Sequence, residues 1–80
     1  MFKKSSSEQK GRVVNRIREF REDLGLTQQE LAGRAGVSRQ SVISIEKGHY
    51  VPSLTLALKL GEIFSCATDE LFRLEETGNG

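Results

Sequence analysis

The chain has 80 residues, 36% hydrophobic and 29% charged, with a formal net charge of +1. This length and balance suit one small, marginally stable globular domain, while a charge so near zero argues neither for nor against a polyanionic partner. The longest apolar stretch, Leu54 to Phe64, is broken by Thr55, Lys59 and Glu62, so no bilayer span is read. The single cysteine, Cys66, excludes an internal disulfide and fits a reducing cytosol.

Residues 1–11, MFKKSSSEQKG, are polar and without periodicity, and are read as a flexible N-terminal arm. Residues 12–76 are read as the folded domain and residues 77–80 as a frayed end. Val13 and Val14 are adjacent β-branched residues that favour a short strand or a helix entry. Ile17, Phe20 and Leu24 recur at helical spacing, which predicts a first helix from about residue 15 to 24, stopped by Gly25. Thr27-Gln28-Gln29-Glu30 forms a capping box, so a second helix runs over about 28–35. Inside it Gly33 is a weak spot, worth roughly 1 kcal/mol relative to Ala. Gly36 and Val37 make a turn, and Val37 tucks into the core. Ser38 caps a third helix over about 39–47, which Gly48 ends. Ser53 follows the lone proline and caps a fourth helix over about 54–64, and a last helical turn spans about 68–72.

The stretch from Gln28 to Ile45 therefore predicts two short helices joined by a tight turn. Such a pair needs a small residue at the crossing, here Ala32, and a residue tolerant of positive φ in the turn, here Gly36. It also needs an apolar stripe on the second member, here Val42 and Ile45. All three are present in register, which points to sequence-specific DNA binding.

At about 100° per residue, Val42 and Ile45 face inward, while Gln40, Ser44 and Lys47 face outward with Arg39 and Ile43 on a flank. Gln pairs bidentately with adenine and Arg with guanine in the major groove, and Ser44 is small enough for close approach. Ile43 is apolar where a solvent-facing residue is expected, and suits a thymine methyl. Backbone N–H groups at helix starts and flexible cations hold phosphate. The candidates for that role are Gln28, Gln29, Ser41, Lys47, His49 and Tyr50. No His, Cys or carboxylate stands at nucleophile–base or metal-ligand spacing, so neither an enzyme nor a cofactor is expected.

The fourth helix carries more apolar surface than one core face needs. Its apolar arc covers roughly 220°, against a stripe of about 100° or somewhat more for a helix on a globular core. The excess predicts a two-fold partner, with Leu54, Leu56, Leu58 and Ile63 as the dimer surface. Two third helices about 34 Å apart then read a palindrome on one DNA face.

The segments GLTQQELA from Gly25, GVSRQSV from Gly36, IEKG from Ile45 and PSL from Pro52 together resemble the lambda-repressor-like (Cro/phage-repressor, XRE) helix-turn-helix family. The resemblance covers most of residues 17–72. It implies an all-α, five-helix DNA-binding domain of a short stand-alone prokaryotic regulator, with the third helix in the major groove. By position, Arg39, Gln40 and Ser44 would face bases, and Gln28 would contact phosphate and buttress Gln40. Arg21 and Glu46 match a pair that bridges in family members; on the wheel alone they are equally readable as two solvated charges. In similar short regulators the chain ends pair as a small two-stranded antiparallel sheet, which would set Val13-Val14 beside residues 72–74.

Three positions depart from the family pattern. Ile43 replaces a polar residue, and Ser65 and Ala67 replace a Gly and a Ser before the last helix. The functional expectation is a cytoplasmic, nucleoid-associated homodimeric repressor on a palindromic operator. An antitoxin that binds both DNA and a toxin, or a pure protein-interaction module, remain the alternatives.

Overall fold

A computed structural model describes residues 11–76. The elements run β1 (Gly11–Asn15), α1 (Ile17–Asp23), α2 (Gln28–Ala35), α3 (Arg39–Glu46), α4 (Leu54–Phe64), α5 (Thr68–Leu71) and β2 (Phe72–Glu76). The fold is five helices with one small antiparallel sheet, β1 against β2. Among the described residues no helix is long and apolar enough to cross a membrane.

Side-chain caps set three of the helix starts. Thr27 Oγ1 accepts from Glu30 N–H at 3.0 Å, and Glu30 Oε1 accepts from Thr27 N–H at 2.8 Å. Ser38 Oγ accepts from Ser41 N–H at 3.1 Å, and Ser53 Oγ from Leu56 N–H at 3.2 Å. The three hydroxyls each satisfy a first-turn N–H that has no partner within its helix, and Glu30 answers the N–H of the Thr27 cap itself. Gly36 takes the left-handed conformation (φ 74°) that closes α2, and Val37 N–H returns to Ala32 O at 3.0 Å. Lys59 on α4 places its ammonium 3.4 Å from Ala35 O, at the negative end of α2.

Two helices begin or end without such help. Ser65 closes α4 in the left-handed region (φ 56°), where the usual residue is Gly. Ala67 has no acceptor side chain, so at the start of α5 only Glu70 Oε2 answers, accepting from Ala67 N–H at 3.1 Å.

The first helix starts at Ile17 rather than near residue 15, because Arg12 to Asn15 are extended and paired with β2. The register sets Val13 opposite Leu74, Val14 opposite Arg73 and Asn15 opposite Phe72. The sheet therefore reaches further than the residues expected to pair. The third helix ends at Glu46 and the fifth at Leu71, each one residue short of its expected end. Residue 11, read as the end of the arm, is the first of β1; residues 1–10 and the 77–80 terminus lie outside the described residues.

The core gathers Ile17, Leu31, Ala32, Ala35, Val42, Ile45, Leu56, Leu60, Phe64 and Leu71, with Val37 and Phe20 packed against it. Leu56, assigned to the dimer surface from the helical wheel, is corrected by this packing. It is 9% exposed and belongs to the core, where it lines one small space with Ile17, Leu31, Val37 and Val42.

Candidate nucleic-acid interface

The pair α2–α3 is built as a rigid corner. Ala32 is fully buried at the crossing, where a larger side chain would push the helices apart, and Val42 and Ile45 fill the inner side of α3. With that side fixed, the outer side of α3 is fixed too. Arg39 and Gln40 are exposed, Ser41, Ile43 and Ser44 are half-buried, and Lys47, His49 and Tyr50 follow as an exposed run. Ser41 is turned back on the cap, with its N–H on Ser38 Oγ and the two hydroxyls 3.1 Å apart. In the first turn of α2 the N–H groups of Gln28 and Gln29 have no intrahelical acceptor and stand available to an anion.

A polar network holds α3 from behind. Arg21 on α1 donates from Nε to Glu46 Oε2 at 2.6 Å and from Nη2 to Glu46 Oε1 at 3.3 Å. Its Nη1 donates to Leu26 O at 2.8 Å, which ties in the loop before α2. Gln28 Nε2 adds a third donor to Glu46, 3.1 Å from Oε1. Arg18 Nε stands 3.8 Å from the same oxygen and is largely exposed. The hydrogen bond to Glu46 raises the Arg21 pKa above its ordinary value, against the opposing pull of burial. A carboxylate on α3 thus receives donors from both α1 and α2.

The resemblance has Gln28 contact phosphate and buttress Gln40; in the structure its half-buried side chain donates from Nε2 to Glu46. Sequence reasoning also passed over Asn15. Its Nδ2 donates to Ile45 O at 2.8 Å, and its Oδ1 accepts from Ile17 N–H at 3.0 Å. An Asn two residues before an apolar helical run is a recognisable cap signal, but its second bond spans 30 residues and has no local signature.

Leu54 and Leu58 lie one helical turn apart on α4 and are 71% and 53% exposed, while Ile63 is half-buried against the core. Cys66 is half-buried against the same core, and burial pushes its thiol pKa up. Among the described residues, no three His, Cys, Asp or Glu side chains are grouped to hold a metal ion.

Residues 17–71 match the helix-turn-helix family over α1 to α5. The chain belongs to the lambda-repressor-like branch of that family, whose relatives are named as transcriptional regulators. It is 48% identical over 64 residues to the uncharacterized HTH-type transcriptional regulator YgzD of Bacillus subtilis, covering 80% of this chain and 97% of that protein. An uncharacterized HTH-type transcriptional regulator of Archaeoglobus fulgidus is 46% identical over 61 residues, covering 76% and 87%. Among solved structures, the restriction-modification controller protein C.AhdI of Aeromonas hydrophila superposes with a TM-score of 0.63 at 35% identity, covering 68% of this chain and 82% of that one. The transcriptional regulator VanUg shares the fold over 92% of this chain and 99% of its own, with a TM-score of 0.72 at 23% identity. In this helix-turn-helix chain α3 occupies the place of the recognition helix.

Proposed function

We propose that the chain is a sequence-specific double-stranded DNA-binding regulator, acting as a homodimeric repressor on a palindromic operator in the cytoplasm. The observation that carries this reading is the outer face of α3. Arg39 and Gln40 stand free on a helix whose inner face is locked by Val42, Ile45 and the bonds of Glu46. A rigid helix bearing Arg, Gln and a small Ser matches major-groove base edges. Ile43 contributes an apolar flank for a thymine methyl. The N–H groups of Gln28 and Gln29 on one side, and Lys47, His49 and Tyr50 on the other, are the phosphate contacts in this reading, with the Ser41 hydroxyl near its edge. Leu54 and Leu58 supply the exposed apolar centre of a two-fold interface.

Selection of bound duplexes from a random library tests the whole reading. An inverted repeat is the expected outcome; no enriched sequence overturns it. On the selected site Gln40→Ala should lose about 1–3 kcal/mol while non-specific binding barely changes. An equal loss on every duplex removes Gln40 from base readout. Sedimentation of a monomer at tens of micromolar protein, without DNA, removes the dimer.

A further inference from the structure

We propose that Asn15, which lies outside the helix-turn-helix, is a positioning residue that sets the angle of α3 and hence the discrimination between operator and other DNA. This inference rests on the DNA-binding reading above. The side chain of Asn15 uses both ends of its amide. Nδ2 reaches Ile45 O at 2.8 Å, and Oδ1 takes the Ile17 N–H at 3.0 Å. Its backbone is held as well, as the residue opposite Phe72 in the sheet. One side chain therefore joins β1, the start of α1 and the end of α3.

The acceptor matters. Ile45 O already takes the Gly48 N–H at 2.9 Å where α3 closes, and Asn15 supplies its second donor. The next residue, Glu46, is gripped by Arg21 and Gln28 through its side chain. The last turn of α3 is thus held from two directions, through a main-chain carbonyl by Asn15 and through a carboxylate by α1 and α2. Val42 and Ile45 seat the inner face of the helix, and these two holds fix the pitch of its last turn.

The lever arm turns a small pivot into lost readout. Arg39 and Gln40 lie about 8–9 Å of helix from Ile45, so a tilt of about 10° there moves them by about 1.5 Å. A bidentate hydrogen bond tolerates much less displacement than that. Phosphate contacts through long flexible cations tolerate more. Loss of the Asn15 hold should therefore lower specific affinity and leave non-specific affinity in place.

Asn15→Asp isolates the bond to Ile45. The carboxylate still accepts from Ile17 N–H, but has no donor for Ile45 O and repels it. On the duplex selected by the unaltered protein, affinity should fall by about tenfold or more, with binding to an unrelated duplex and its salt slope unchanged. Ser53→Ala, which removes the α4 cap away from α3, serves as the stability control. It should lower the melting temperature without changing the ratio of specific to non-specific affinity. If Asn15→Asp does not fold, Asn15→Ser keeps a cap oxygen while falling short of Ile45 O, and the same ratio is read. An unchanged ratio in the folded Asn15 variant, or an equal drop in Ser53→Ala, overturns the proposal. Failure of the unaltered protein to select any duplex instead overturns the DNA-binding reading itself.

Discussion

Arg21 Nε stands 2.6 Å from Glu46 Oε2, and the two side chains are only 10% and 2% exposed. The two residues are 25 apart in the chain and join α1 to α3. Such a pair gives little net stability over apolar residues of similar size, but removing one member strands the other charge away from water. Arg21→Met should therefore cost about 3–5 kcal/mol in a denaturant titration, with Gln28 still bonded to the carboxylate. Arg21→Met combined with Glu46→Leu should recover most of that loss. A double variant as unstable as the single one would assign the cost to lost packing of the Arg21 stem instead.

The two helical glycines, Gly33 and Gly61, should respond in opposite directions to alanine. Gly33 faces open space, so Gly33→Ala gains helix propensity and should stabilise by about 1 kcal/mol. At Gly61 an added Cβ would lie 2.9 Å from Cys66 O, a backbone atom of the turn into α5. That turn cannot retreat without moving Leu71 in the core, so Gly61→Ala should destabilise by about 1–3 kcal/mol. Thermal melts of the two variants against the unaltered chain read the signs directly.

Ser65 holds the left-handed conformation that an L-residue adopts only at a cost. Ser65→Gly should raise stability by about 1 kcal/mol, seen as a higher denaturant midpoint with an unchanged slope. No gain would mean that the freedom glycine adds to the unfolded chain offsets the strain it removes.

The capping box of α2 makes a pH prediction. The Thr27 N–H holds the Glu30 carboxyl below its ordinary value of 4.5, with smaller help from the Thr27 side chain and Arg34. A depressed folded value means stability that is present above pH 4.5 and is lost as pH falls through the folded value. Glu30→Gln keeps the reach back to Thr27 but no longer titrates. Its stability should vary less than that of the unaltered chain on acidification below this range; parallel curves would remove Glu30 from the acid response.

Local chemistry made α2 and α4 legible in the sequence to the residue, because Thr27 and Ser53 start them with side-chain caps and the Gly36 turn stops α2. Helical period alone set Val42 and Ile45 inside α3 and Gln40 and Lys47 outside; Arg39, read on the flank, is exposed too, while Ser44 is half-buried. Where the reading shifted, a long-range partner had won. Arg12 to Asn15 are strand because residues 72–75 lie beside them, Gln28 turns to Glu46, and Leu56 is covered by elements distant in sequence. Asn15 shows this most clearly, since half of its bonding is a cap visible from its neighbours and half depends on the closed fold.

The pairing of β1 with β2 also works as a completeness check on the polypeptide. A product truncated before Phe72 retains all five helices and both halves of the Arg21–Glu46 grip, yet lacks the strand that holds the backbone of Asn15 in place. On the proposal made for Asn15, such a product would keep its motif but aim it loosely. Within the described residues, the first and last elements thus answer for each other.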